Sequence, residues 1–202
     1  MGGSWEAHGE AVAPVPNDFA RQMPSALSHP APALAIAAYF GRDRLSRSAV
    51  VVGVLCSILP DVDLVGFKLG IAHGGMLGHR GLTHSLPFAL AVGVVIATIA
   101  RRRDPRSHYS DLCLYLFLAT VSHGIFDALT NGGSGIAFFA PFSSARYFFA
   151  FRPIEVSPLS VTRFFSDRGL VVHASELHWV WLPSLAFAAL AMFPIRAVEF
   201  VT

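Results

Sequence analysis

The chain has 202 residues, 53% of them hydrophobic and 14% charged, with a formal net charge of +2 and a mean hydropathy of +0.54. Ordinary soluble domains carry about 25% charged residues, so the composition points to a membrane protein of one domain. The small net charge and the lack of a basic, aromatic stripe predict no stable nucleic-acid partner and leave nucleic acid only as a substrate.

Residues 1–27 are rich in Ala, Pro and Gly and lack both a basic start and an apolar h-region. No cleavable signal peptide is expected there, only a flexible tail ahead of a single domain over 28–202. Apolar runs then alternate with short polar joints and predict helices over 30–41, 48–60, 86–101, 111–129 and 177–195. The run 86–100 makes about 22 Å of helix against a hydrocarbon core of about 30 Å, so such helices cross a thinned bilayer or insert only in part. Residues 131–176, rich in Gly, Ser and Phe, read as a long ordered loop with short helical turns, a length often found in functional lids. The expected fold is all-α: a membrane-embedded bundle of about five short helices, a metal site at one end, and a long loop between helices four and five. Cys56 and Cys113 lie in apolar runs and read as small buried hydrophobes rather than a disulfide framework.

Ionisable groups beside apolar helices are costly and therefore informative. His29 stands at the start of the first predicted helix, Asp61 and Asp63 at the end of the second, His79 and His84 before the third, and His123 and Asp127 in the last turns of the fourth. Antiparallel neighbours joined by short loops alternate ends, so all of these fall at one end of the bundle. Arg42, Arg44, Arg47, Arg101, Arg102, Arg103, Arg106 and Arg196 fall at the other. By the positive-inside rule the basic end is cytoplasmic, which makes this an inner-membrane protein of bacterial type with its site toward the outer side. Lys68, Arg80, Arg146, Arg152, Arg163 and Arg168 lie on that outer side, so the orientation rests on the short joints alone.

Imidazole and carboxylate together are the ligand set of zinc and of harder ions such as manganese or iron. His123 and Asp127, four apart on a helix, share one face and could hold one ion, bridge two, or form a purely structural pair. Pro60-Asp61-Val62-Asp63 could be a helix stop with an Asx-type turn, but the apolar runs on both sides make unpaired carboxylates there expensive. In His79-Arg80-Gly81-Leu82-Thr83-His84-Ser85 the two histidines can converge if Gly81 permits a tight turn. Thr83 or Ser85 would cap the next helix and leave its N–H groups to face an anion. Arg80, as a planar fork at the rim of the site, would clamp a phosphate; the alternative is a surface loop touching lipid headgroups. Glu155 is expected to pair with Arg152. His8, His73 and His108 read as loop or solvent residues, and His173 and His178 stay open.

These residues resemble the YdjM-like membrane-bound metal-dependent hydrolases. The resemblance rests on His29, on Leu59-Pro60-Asp61-Val62-Asp63, on the His79-to-Ser85 block, and on His123 and Asp127 followed by Thr130-Asn131-Gly132-Gly133 and Pro141-Phe142. It covers roughly residues 28 to 160. The family is distantly similar to the zinc-dependent phospholipase C and P1-type nuclease group, which also uses a His-x-x-x-Asp pair on a helix. That likeness implies His29, Asp61 or Asp63, His84, His123 and Asp127 as metal ligands, although the second half of the larger enzymes' ligand set has no counterpart here.

The expected chemistry is metal-dependent hydrolysis of a phosphoester or lipid-like ester by one to three divalent ions, zinc first and manganese or iron as alternatives. The spare carboxylate of the Asp61 and Asp63 pair would serve as general base or would orient a ligand, and Arg80 would steady substrate charge. Membrane lipids and the ester substrate are the expected partners. The alternative is a membrane metal-ion carrier or metal-binding protein without hydrolytic activity, although carriers usually place polar groups through the whole depth. Serine hydrolase, zincin and phosphate-loop motifs are absent from the sequence.

Overall fold

The computed structural model describes residues 22–23, 27–72, 74–103, 107–158 and 166–193. The expectations for residues 1–21, which include His8, and for His73, Arg106, Arg163 and Arg196 lie outside the described residues. Helix α1, Pro30–Phe40, starts on a proline, whose fixed φ suits a first turn. It stops at Gly41, whose φ of +75° a side chain would resist. Helix α2, Arg47–Ile58, is capped by Ser46, whose hydroxyl accepts from the Ala49 N–H at 3.1 Å. The chain then tightens into a 3-10 turn, Leu59–Leu64, and a single α turn, α3, Val65–Lys68.

A second 3-10 turn, Leu82–His84, leads into α4, Leu86–Arg103, and α5, Tyr109–Ala128. Helix α6, Asp167–Glu176, continues through a π turn, Leu177–Trp181, into α7, Leu182–Met192. Among the described residues the strands are two short ones, β1, Gln22–Met23, and β2, Ser157–Pro158, paired antiparallel. Residues just ahead of the helical domain are thus tied to the long loop. The last helical stretch begins at Asp167, ten residues before the expected 177. Asp167–Glu176 is polar, burying only Gly169, Val172 and Glu176, so it carries a weak apolar stripe.

Helix α5 is the axis of the bundle, packed by α4, α2 and α1, while α7 covers α1. Around the large core residues Phe40, Leu45, Leu112, Tyr115 and Leu116, the helices also meet through small ones. Small residues are buried between helices: Ala31, Ala33, Ala35 and Ala37 on α1, Ala49 and Gly53 on α2, Ala89, Gly93 and Ala97 on α4. A Cβ at Gly93 would sit 3.0 Å from the Cys113 carbonyl oxygen, which shows how closely α4 and α5 approach. Large apolar side chains such as Val51, Leu55, Leu90, Val95, Leu185 and Leu190 face outward. Lipid gives no hydrophobic reward for burying Leu, so helices in a bilayer pack through small residues and leave large ones outside. Tyr109–Ala128 is, among the described residues, the helix long and apolar enough to cross a membrane by itself. Cys56 lies in the apolar core and both cysteines are free, as their apolar settings imply.

Candidate metal centre

The ends of α1, α2 and α5 and the loop before α4 meet in one buried cluster that gathers His29, Asp61, Asp63, His79, His84, His123 and Asp127. His123 and Asp127 project from the last two turns of α5 and are closed to solvent. The His29 ring, from the residue before α1, stacks on the His123 ring with centroids 3.7 Å apart and planes 17° apart. Its Nε2 lies 3.7 Å from Asp127 Oδ1. Asp61 and Asp63 sit two residues apart on the 3-10 turn and turn to different partners. Asp61 Oδ1 is 3.3 Å from His123 Nε2. Asp63 accepts from His79 Nδ1 at 2.8 Å and from the Thr83 hydroxyl at 2.6 Å, and its Oδ2 lies 3.2 Å from His84 Nδ1. His84 Nε2 in turn points at Asp127 Oδ2, 3.4 Å away.

These contacts fix which ring nitrogens look inward. His123 Nδ1 lies 2.8 Å from the Ser57 carbonyl oxygen and must donate to it, which leaves the lone pair on Nε2. A proton on His84 Nδ1, shared with Asp63, does the same for His84 Nε2. This carboxylate-histidine arrangement is the usual support of a metal-bound imidazole. Three groups of side chains each bring one ligand atom within 4.8 Å of the others: His29, His123 and Asp127; Asp61, His84 and His123; Asp63, His79 and His84.

The donor set fits a divalent cation. Nε2 of His29, His84 and His123 and both oxygens of Asp127 are buried without a hydrogen-bond partner among the described residues. Leaving such atoms unpaired is expensive, and a cation at their meeting point would satisfy several at once. Charge agrees, since three carboxylates share this interior with one fully buried guanidinium, that of Arg80. Burial works against charge on His84, but the neighbouring carboxylates of Asp127 and Asp63 outweigh it and push the imidazole up to about 9. Burial likewise opposes the Asp63 carboxylate, yet its bonds to His79 and His84 hold it well below the usual range. Without a cation His84 thus also keeps a proton on Nε2, and a bound cation would displace that proton and take its place.

Arg80 is not at the rim. Its side chain is fully buried, and its Nε lies 3.2 Å from Asp127 Oδ2. One terminal nitrogen donates to the Gly132 carbonyl at 2.8 Å and the other to the Thr130 hydroxyl at 3.1 Å. Thr130 passes its own proton to the Asp127 carbonyl at 2.7 Å. The loop Asn131-Gly132-Gly133 wraps the guanidinium so closely that a Cβ on Gly133, whose φ is +89°, would run into it.

The turn before α4 also differs in detail from its expected form. The left-handed residue is Arg80, with φ +61°, not Gly81. Gly81 is needed for space instead, because a Cβ there would strike the carbonyl oxygens of Met76 and Gly78. Ser85 caps α4 through the Phe88 N–H at 3.2 Å, while Thr83 is spent on Asp63. The Leu86 N–H, expected to be open to an anion, donates to the Phe138 carbonyl at 2.9 Å.

Sequence reasoning passed over Arg146, counted there only as an outer-side charge. Its guanidinium binds the carbonyls of Gly75, His79, Arg80 and Gly135 and the Ser134 hydroxyl, at 3.0 to 3.3 Å, and so ties the ligand loop to the long loop. Backbone acceptors leave no trace in side-chain spacing, so no sequence signal marks it. Glu155 pairs with Arg168 at 2.7 Å rather than with Arg152, which lies over the Phe148 ring. His173 and His178 join none of the three ligand groups, and His108 is exposed as expected.

The family model described as YdjM inner membrane protein matches residues 23–200. The chain is 36% identical over 163 residues to the inner membrane protein YbcI of Escherichia coli (strain K12), covering 81% of this chain and 94% of the relative. It is 34% identical over 95 residues to the uncharacterized protein YfhP of Bacillus subtilis (strain 168), covering 46% of this chain and 29% of that one. No solved structure matches, and none of the comparisons shows the expected likeness to the phospholipase C and P1-type nuclease group. The family match spans every ligand-bearing element of the cluster, and its description agrees with small residues inside and large apolar residues outside: the chain belongs to the YdjM inner membrane protein family.

Proposed function

We propose that the protein is a metal-dependent hydrolase of the membrane that cleaves a phosphoester or a lipid-like ester. The observation that carries this reading is the set of buried ligand atoms on His29, His84, His123 and Asp127 that lie close to one another without a hydrogen-bond partner. His29, His84, His123 and Asp127 would hold the ion, with zinc the best match to the imidazole-rich set. When bound, such an ion acidifies a water and polarises the ester oxygen.

The chain's own groups divide the remaining work. Asp63 and the Ser57 carbonyl orient His84 and His123. Arg80 holds Asp127 in place and is a positioning residue. Asp61 is the most open of the three carboxylates, its side chain 11% exposed against 2% for Asp63 and 1% for Asp127. We therefore assign it to take the proton of the attacking water, a role that needs reach to both water and substrate. The carrier alternative is disfavoured because the helices beyond the cluster close on an apolar core of Phe40, Leu45, Leu112 and Leu116. With the basic joints inside, the cluster end would face the outer side.

The test is elemental analysis of the detergent-purified full chain together with assays on a chromogenic phosphodiester and on phospholipid vesicles. Bound zinc-class metal with hydrolysis that a chelator abolishes is the expected result. Metal without hydrolysis of any ester would leave a metal-binding protein, and no bound metal would overturn the site itself.

A further inference from the structure

At the end of the bundle away from the cluster, a cavity of about 380 Å³ opens between α2 and α4. Val52, Ile96, Ile99 and Leu112 give it an apolar wall, and Arg103 stands at its mouth with Ser46 and Ser48. A volume of this size is typical of small-ligand sites. The two serines also line a second cavity of about 480 Å³, formed by the joint that carries Arg42, Arg44 and Arg47. The two cavities therefore adjoin at Ser46 and Ser48, one apolar and the other, Asp43 apart, basic. Arg42, Arg47 and Arg103 are exposed, and Arg44 reaches Asp111 only at 3.9 Å with its side chain 62% open.

An apolar slot beside lipid-facing residues, ending in a basic pocket at the membrane edge, has the polarity of a phospholipid turned inside out. We propose that this composite groove binds an anionic phospholipid, one acyl chain lying between α2 and α4 and the phosphate seated on the Arg42–Ser48 joint and Arg103. Charge complementarity selects an anionic headgroup over a zwitterionic one, as it does for basic pockets at the cytoplasmic ends of membrane helices. The apolar wall selects a lipid over a free phosphate. The site is separate from the metal cluster and does not depend on the hydrolase reading.

The test titrates the full chain in neutral detergent with dioleoyl phosphatidylglycerol, dioleoyl phosphatidylcholine or glycerol phosphate and follows the melting temperature. Phosphatidylglycerol alone should raise it. Each basic residue near an anionic surface contributes about fivefold in affinity, so Arg42→Gln, Arg47→Gln and Arg103→Gln combined should raise the half-saturating phosphatidylglycerol concentration by about 100-fold. These side chains are exposed, so the fold should survive. Ala100→Phe, which fills the slot, should weaken binding with the arginines intact; if it fails to fold, the arginine variant decides. Equal shifts with phosphatidylcholine would mean a nonspecific lipid belt and overturn the proposal. So would an equal shift with glycerol phosphate, an unchanged response in the arginine variant, or a dimer whose formation excludes phosphatidylglycerol.

Discussion

Arg80 Nε lies 3.2 Å from Asp127 Oδ2, and both side chains are closed to solvent. Removing one partner of a buried ion pair strands the other and costs about 3–5 kcal/mol. Here the stranded group would be the carboxylate whose two oxygens face the ligand histidines. Arg80→Met should therefore lower both the melting temperature and the metal content of the purified protein. Arg80→Lys should lose much of the metal as well, because an ammonium cannot reach Asp127, Thr130 and Gly132 with one planar fork. Gly133→Ala should act in the same direction through the blocked guanidinium. If Arg80→Lys keeps its metal and its melting temperature yet loses hydrolysis, the guanidinium touches substrate and is no internal strut.

Asp61 and Asp63 stand two residues apart but their surroundings give them different work. Asp61→Asn should keep most of the metal while lowering turnover by about 100-fold or more, the range of a lost general base. Asp63→Asn removes a charged acceptor from His79, Thr83 and His84 together. Its effect should appear in metal affinity, weakened by about 10- to 100-fold, as for other groups that orient metal-binding histidines. Metal titrations and steady-state rates on the two variants separate the roles. Equal loss of metal in both would make Asp61 a ligand rather than a base.

Much of the cluster was legible because ionisable residues in apolar sequence have few structural uses. Alternating helix direction then brought His29, Asp61, Asp63, His84, His123 and Asp127 to one end without any knowledge of their contacts. The same reasoning misplaced Arg80, since a cation beside two histidines reads as exposed until the loop 130–133 is seen to close around it. Arg146 escaped for a related reason: it binds four carbonyl oxygens from three places in the chain, which no periodicity encodes. Glu155 had two arginines within sequence reach, and only the start of α6 at Asp167 brings Arg168 to it. The early start of α6 stayed hidden because its buried face is a glycine, a valine and a glutamate.

Metal should also stabilise the fold, because the proposed ligand atoms come from the residue before α1, from the end of α5 and from the turn before α4. A ligand that binds only the folded state adds about 2.7 kcal/mol at a hundredfold excess over its dissociation constant. Chelator-treated protein should melt at a lower temperature than the protein as purified, and added zinc should restore the loss in a concentration-dependent way. His123→Ala should remain helical and show no response to zinc. A zinc response of wild-type size in that variant would place the ion elsewhere.

The orientation rests on the joint at Arg42–Arg47 and on the arginines that end α4, both at the end of the bundle opposite the ligand cluster. Short basic loops are retained on the cytoplasmic side, so the cluster end should lie on the other. Gly74 is exposed with nothing within 4 Å of a built Cβ, which makes it a tolerant place for a cysteine near the cluster. Ser110, exposed in the first turn of α5, reports on the basic end. In a background with Cys56 and Cys113 replaced by Ala, an impermeant maleimide added to intact cells should label a cysteine at Gly74 and leave one at Ser110 unmodified until the membrane is opened. Labelling at Ser110 alone would invert the protein, turn the cluster toward the cytoplasm, and restrict its ester substrates to those of the inner leaflet and the cell interior.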